Sequence, residues 1–322
     1  MNILIAGTGL MAFGFQSLAW RRHPDWKFFF HRSNDSATSF LDRLYRCDAL
    51  VVAISTHDDG SAARDMILKA VQIGKPVATC EKGALSEYFE ELGPYLKIIG
   101  YNAACGGGSM MLELLRNPVD VERIDAVANG SSNNISHLCE KGLEVDESVS
   151  QTQADRYTDP GKKSIREIVM GELEDACRKA VIIHNMAFRD RPIRRSMMSF
   201  THFSEDGIYQ LFAKHRWNDQ PWRENEFWVK RLVIRIFPYN HNKRGEIWRG
   251  DPCFWMRTDT HCVVGTFIDA EKVFLCYPEG VTNCLQVIDN GEWNLAFGPG
   301  AGIVETAGAM LKDLERLLNT NG

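Results

Sequence analysis

Gly7-x-Gly9-x-x-Ala12 has the spacing of a turn that receives phosphate. The first glycine permits a tight bend, the second lets backbone approach a pyrophosphate, and a small third residue lets helix and strand pack. Gly7, Gly9, Leu10, Met11 and Ala12 would then offer the unpaired N–H groups of a helix start to a dinucleotide. Roughly 20 residues further on, an enzyme that reads a ribose 2′-hydroxyl places an acid. This chain instead has His31-Arg32-Ser33. A guanidinium and a hydroxyl suit a 2′-phosphate, so NADP(H) is expected over NAD(H). The alternative is that Arg32 is a plain surface residue and Asp35 the ribose ligand.

The turn needs a strand before it and a helix after it. Asn2 to Ala6 is a short apolar run ending in Gly7-Thr8-Gly9, and an amphipathic stretch with Phe13, Leu18 and Trp20 follows. Trp26 to Phe30, Asp48 to Ser55 and Pro76 to Thr79 are further apolar runs. Between the last two, Met66, Leu68, Ala70 and Val71 with a closing Gly74 have helical spacing. Strands alternating with helices predict a doubly wound parallel sheet, the Rossmann arrangement, with Ser55 and Thr56 along the coenzyme. Beyond about Asp120 the rhythm changes: Ile124 to Val127 reads as a strand, Ile165 to Ile183 as a helix, and Leu232 to Phe237 and Cys262 to Ile268 as β segments of a mixed sheet. A long helical pattern ends at Leu318.

The bulk properties narrow the function classes. A chain of 322 residues is long enough for two domains. A net charge of −5 provides no positive field to gather nucleic acid or an anionic membrane, and the basic run Arg189 to Arg195 reads as a solvated or substrate-facing patch. Nine scattered cysteines without a C-x-x-C pair argue against a disulfide framework and against a metal site. No run approaches the roughly 18 to 20 apolar residues of a membrane span, and the first residues lack a charged leader, so a cytoplasmic setting is expected.

Several short pieces share an order. They are Glu81-Lys82-Gly83-Ala84-Leu85, Gly106-Gly107-Gly108, Asn129-Gly130-Ser131-Ser132-Asn133, Tyr157-x-Asp159-Pro160, Asp175-x-x-Arg178-Lys179, and Gly298-Pro299-Gly300-Ala301-Gly302 followed by Thr306-Ala307 and Asp313-Leu314. In this the chain resembles the homoserine dehydrogenases, as a divergent member without an ACT domain. The resemblance implies hydride transfer between NAD(P)(H) and an amino-acid semialdehyde or alcohol, and a homodimer. Reducing an aldehyde requires a donor that stabilises the developing alkoxide and supplies its proton, which a lysine can do. Lys82 and Lys179 match the family's two active-site lysines, one as general acid and the other polarising the carbonyl. The resemblance further implies Asp175, Asp159, Ser131 and Gly130 at the substrate, and Gly302 over the nicotinamide. Alone, Lys82 would be a solvated lysine after a strand, and Lys179 half of an i,i+4 pair with Asp175.

The chain also departs from that pattern. Glu81 replaces an asparagine, Arg156 stands where glycine is usual, and residues 161–170 bring in Lys162 and Lys163. Residues 186–260 match nothing familiar, and their Trp217, Trp222, Trp228 and Trp248 read as core or subunit interface. Two other functions compete. Asn102-Ala103-Ala104-Cys105-Gly106 resembles the cysteine turn of phosphorylating semialdehyde dehydrogenases, where a thiolate attacks the aldehyde, although a cysteine beside glycines is more often a small buried residue. A non-catalytic NADP(H)-binding sensor is the other. The expected organisation is a dinucleotide-binding domain over 1–117, a mixed α/β substrate and dimerisation domain over 118–293, and a C-terminal helix over 294–322 returning to the first.

Overall fold

The computed structural model describes residues 1–55, 59–118, 120–158, 164–216, 227–239, 252–274 and 277–320. The chain divides into two compact units, one of Met1–Arg116, Val181–Ser196 and Gly302–Gly322, the other of Asn117–Ala180 and Met197–Ala301.

In the first unit the apolar runs become β1 (Asn2–Ala6), β2 (Lys27–His31), β3 (Ala49–Val52), β4 (Val77–Thr79) and β5 (Ile99–Gly100). They pair in the order β2-β1-β3-β4-β5, every pair parallel. Strands covered on both faces need side chains that are apolar on both, and β3 is buried at all four positions. The connecting helices are α1 (Leu10–Arg22), α2 (Ala37–Arg46) and α3 (Ser61–Gln72), followed by the short α4 (Gly83–Glu87) and α5 (Phe89–Leu92). The chain leaves β1 toward β2 on one side and returns to β3 on the other. That reversal opens a crevice at the carboxyl ends of β1 and β3.

The second unit holds β6 (Val121–Val127), α6 (Gly130–Glu140), α7 (Val145–Ala154), the greater part of α8 (Ile165–Ala187), β7 (Ser199–Phe200) and α9 (Glu205–Leu211). A small pair, β8 (Lys214–Arg216) with β9 (Phe227–Val229), precedes β10 (Arg231–Pro238), β11 (Phe254–Arg257), β12 (His261–Ile268), β13 (Thr282–Asp289) and β14 (Glu292–Pro299). Seven of these strands form one sheet in the order β14-β13-β6-β10-β12-β11-β7. The mixed α/β character expected for this half holds, but its sheet is antiparallel at every described pairing rather than mixed. Two of these pairings, β11 with β12 and β13 with β14, join consecutive strands by short turns, a connection that antiparallel strands allow. Between β13 and β14 the turn is Asn290-Gly291, with φ of 51° and 76°, the left-handed pair of a two-residue hairpin.

The last helix, α10 (Ile303–Thr320), belongs to the first unit and lies along α1. Ala12, Phe15 and Ala19 of α1 share a core with Ala307, Met310, Leu311 and Leu314. A polar clasp adds direction. Asp313, 1% exposed, accepts from the Asn102 backbone N–H at 2.8 Å and from its Nδ2 at 2.7 Å. Gly100 makes room, because a Cβ there would lie 2.4 Å from the Asp313 Cβ. Asn102→Ala should therefore lower unfolding free energy by about 2 kcal/mol in urea titration, the cost of leaving a buried carboxylate short of one donor.

Candidate functional site

In the first unit the Gly7 to Ala12 turn has the form its spacing implies. Gly7 adopts φ of 117°, donates its N–H to the His31 carbonyl at 3.0 Å, and lies so close to β3 that a Cβ would sit 2.3 Å from the Ala53 oxygen. Gly9 is the N-cap of α1 with no side-chain cap, no acid follows in the first turn, and nothing lies within 4 Å of where its Cβ would be. Open backbone at the positive end of a 13-residue helix fits a pyrophosphate. Ala12 is fully buried, Met11 packs at the core margin and Leu10 is exposed.

At the end of β2 the polar groups divide. Asp35 pairs with Arg43 at 2.6 Å and accepts the Arg32 backbone N–H at 3.0 Å. Those bonds, the backbone one first, hold its carboxyl below the ordinary range. Burial holds the His31 imidazole below its usual value, against the pull of Asp35. Arg32 and Ser33 stay exposed, and the Arg32 guanidinium has no partner among the described residues.

The carboxyl end of β4 is built around Glu81. Its carboxylate, 2% exposed, accepts from the N–H of Gly83 at 2.7 Å and of Ala84 at 2.8 Å and so caps α4. Lys82 is the half-buried N-cap residue of that helix. Gly60 brings the start of α3 against it, since a Cβ there would lie 2.4 Å from the Ala84 nitrogen. Burial pushes the Cys80 thiol up to about 11, so it is neutral at physiological pH. Ser55 is exposed, Cys105 is fully buried, and Gly302, with φ of 127°, precedes α10. Thr56 lies outside the described residues.

The second unit gathers a buried polar network where β6 meets α6. Lys179, 6% exposed, pairs with Asp175 Oδ2 at 2.7 Å and donates to the Ala128 carbonyl at 2.8 Å. Asn129 Oδ1 accepts the Ser132 N–H at 2.7 Å, capping α6, while its Nδ2 donates to Asp175 Oδ2 at 2.9 Å and to Glu172 Oε2 at 2.8 Å. Asn283, fully buried on β13, also donates to the Ala128 carbonyl, at 3.2 Å. Gly300 presses on it so closely that a Cβ would fall 2.1 Å from its Cγ.

Other motif residues serve this frame. The Ser131 hydroxyl donates to the Tyr157 carbonyl. At Gly130 a Cβ would lie 2.9 Å from the Val281 oxygen. The Asn133 amide spans the carbonyls of Pro278, Gly280 and Thr282 at 3.1, 2.8 and 3.2 Å. Pieces far apart in sequence, 129–133, 175–179, 278–283 and Gly300, thus meet in one unit. Asp159, Lys162 and Lys163 lie outside the described residues, as do Trp217, Trp222 and Trp248. Sequence reasoning missed Glu172 and Asn283 and gave Asn129, quoted within its motif, no role of its own. Glu172 left a signal: it is a charged residue at a position where the helical spacing of Ile168, Val169, Leu173 and Ala176 calls for an apolar one.

Comparison with known proteins places these features in context. A family model described as homoserine dehydrogenase matches residues 109–314. The homoserine dehydrogenase of Neisseria gonorrhoeae (strain ATCC 700825 / FA 1090) is 28% identical over 262 residues, covering 78% of this chain and 53% of that protein. The chain thus spans about half the length of the curated relatives it matches. Among solved structures, the homoserine dehydrogenase of Thermoplasma acidophilum has a TM-score of 0.68 at 17% identity, covering 99% of each chain. A hyperthermophilic archaeal homoserine dehydrogenase in complex with NADPH has a TM-score of 0.62 at 15% identity, covering 99% of this chain and 98% of that one. At such identities the structural likeness is one of fold.

Arg156, the residue that departs from an expected glycine, ends α7 with φ of 62°. An L-residue in that left-handed region is strained and glycine is not. Arg156→Gly should raise stability by about 0.5–1 kcal/mol, read as a higher denaturation midpoint with unchanged slope.

Proposed function

The chain belongs to the homoserine dehydrogenase family, and on that premise we propose that it is an NADP-dependent oxidoreductase interconverting homoserine and aspartate 4-semialdehyde, or a close relative of that pair. One observation carries the reading. A lysine ammonium is held inside the second unit by a carboxylate at 2.7 Å and a carbonyl at 2.8 Å, within the segment that the family model matches.

An ammonium has three protons to donate. Two are taken up by Asp175 and Ala128, which fixes the third in direction. That proton meets the oxygen of a carbonyl as it becomes an alkoxide, stabilising the charge and then neutralising it. Asp175 holds the lysine in place, and its carboxylate is also a partner for the ammonium of an amino-acid substrate. Lys82, the N-cap residue of α4, is the second candidate for acid or carbonyl-polarising work, and Asp159, Ser131 and Gly130 keep their assignment to the substrate. A bound nicotinamide coenzyme supplies or accepts the hydride.

The first unit's own residues favour the 2′-phosphorylated coenzyme. Asp35, the acid that could read a ribose hydroxyl, is engaged by Arg43 and by backbone, whereas Arg32 is exposed and Ser33 lies beside it. Gly7, Gly9, Leu10, Met11, Ala12, Ser55, Thr56 and Gly302 complete the coenzyme assignment, with NAD(H) as the lesser alternative. A homodimer in the cytoplasm belongs to the same proposal and rests on the family alone.

NADPH oxidation with aspartate 4-semialdehyde, and NADP+ reduction with homoserine, test the reading directly. In either assay Lys179→Ala should lower kcat about 100- to 10,000-fold, the span of a lost general acid. A variant with wild-type kcat would remove Lys179 from the chemistry. Arg32→Ala should raise the NADPH dissociation constant roughly 10-fold or more while NADH binding changes by less than about 2-fold, as fluorescence titration would show.

A further inference from the structure

The buried face of α8 carries one carboxylate among apolar neighbours. Ile168, Val169, Leu173, Ala176, Cys177 and Ala180 are each at most 3% exposed and follow the helical spacing, and Glu172, at 5%, stands in their row. A carboxylate in such a place is costly unless it is hydrogen-bonded. Its Oε2 accepts from Asn129 Nδ2 at 2.8 Å, and the same nitrogen donates to Asp175 Oδ2 at 2.9 Å. The orientation of this amide is determined by its other end. Asn129 Oδ1 accepts the Ser132 N–H at 2.7 Å, so the two N–H groups must face α8. Asp175 Oδ2 in turn receives the Lys179 ammonium at 2.7 Å.

We propose that Glu172 is a positioning residue for the chemistry of Lys179, a role that rests on the dehydrogenase reading above: it takes one N–H of Asn129 so that the other is directed at Asp175, which then holds the lysine in a single geometry. The amide has one rotatable bond beyond its Cβ and two protons. Beside its bond to Asp175 the nitrogen meets the Glu172 carboxylate at 2.8 Å and, more weakly, the Glu172 backbone carbonyl at 3.3 Å, so that without the carboxylate only the longer bond remains on that proton and the amide is held less tightly. The carboxylate of Glu172 is thus an anchor, and it acts through Asn129 and Asp175 rather than by touching substrate.

The experiment compares the full-length chain with Glu172→Ala, Glu172→Gln and Glu172→Asp. Steady-state kinetics with homoserine and NADP+ give the first readout, and the hydrogen exchange rate of the Asn129 side-chain amide by NMR gives the second. Glu172→Gln keeps an oxygen within reach of Asn129 and gives up the charge. Glu172→Asp keeps the charge and, one methylene shorter, loses the reach. In Glu172→Ala, kcat should fall about 10- to 100-fold, the scale of a misplaced acid, with the homoserine KM within about 3-fold and the Asn129 amide exchanging at least about 10-fold faster.

Glu172→Gln should recover kcat to within about 3-fold of wild type, and Glu172→Asp should not. If the alanine variant does not fold, the order of the other two decides. The proposal is overturned by an unchanged kcat in Glu172→Ala, by an effect confined to KM, or by Glu172→Gln being as impaired as Glu172→Ala. If the wild-type chain turns over neither homoserine nor aspartate 4-semialdehyde, the functional reading falls, and amide exchange alone then judges the anchor: rates equal in all four chains would remove it.

Discussion

A lysine ammonium taken out of water must be paired and hydrogen-bonded, or it gives up its proton. Lys179 meets that condition through two direct partners and one indirect one, Asn129, which bonds Asp175 rather than the lysine. Asp175 comes from one turn earlier in α8, the Ala128 carbonyl from the end of β6, and Asn129 from the first residue beyond. The Ala128 carbonyl is itself steadied by Asn283 from β13. Sheet, helix start and long helix are thereby fixed to one another at a point where β6 is flanked by β10 and β13. The antiparallel sheet of the second unit can be read as the frame that this pairing requires.

The first unit is governed by close approach of backbone rather than by charge. Gly7 against Ala53, Gly60 against Ala84 and Gly100 against Asp313 each leave no space for a Cβ. These contacts pack the loops at the carboxyl edge of the parallel sheet so tightly that their free N–H groups are held in place. Asp313 shows how a polar contact adds to this. A residue that belongs to the family-like pattern near the chain end proves to be a clasp on Asn102, inside the same unit. Recurrence of a residue in a pattern therefore does not assign it to chemistry.

Much of this was legible in the sequence. The strand, turn and helix at Asn2 to Arg22, the helix within Ser61 to Gln72, and α8 all follow from apolar periodicity and punctuation, whereas Asp175 and Lys179 were singled out by the family resemblance. Where reading stopped, the reason is physical. α2 is amphipathic and begins at Ser36, whose hydroxyl accepts the Ser39 N–H. Half of its sequence ATSFLDRLYR is polar and only Phe40 and Leu44 are buried, so the apolar stripe is thin. The hairpin at Asn290-Gly291 went unread, because β14 before Pro299 has exposed Trp293 and Phe297 and lacks a clean alternation. Glu172 and Asn283 were hidden for a different reason. A buried polar side chain looks like surface until its partner is located, and the partners here stand 43 and 155 residues away.

The departures from the family pattern can be weighed by what each side chain does. At residue 81 the usual asparagine would bring one amide oxygen to the start of α4. The glutamate brings two oxygens and takes both N–H groups, of Gly83 and of Ala84. The substitution therefore tightens the cap beside Lys82 and adds a negative charge at the positive end of a helix, where it is stabilised. At residue 156 the change runs the other way: an arginine occupies backbone that suits glycine, at φ of 62°, and the chain bears the strain. Neither departure removes a group from the network around Lys179. In that network Glu172 sets a carboxylate on the buried face of α8, a costly place unless the group is hydrogen-bonded, and Asn129 supplies the bond at 2.8 Å.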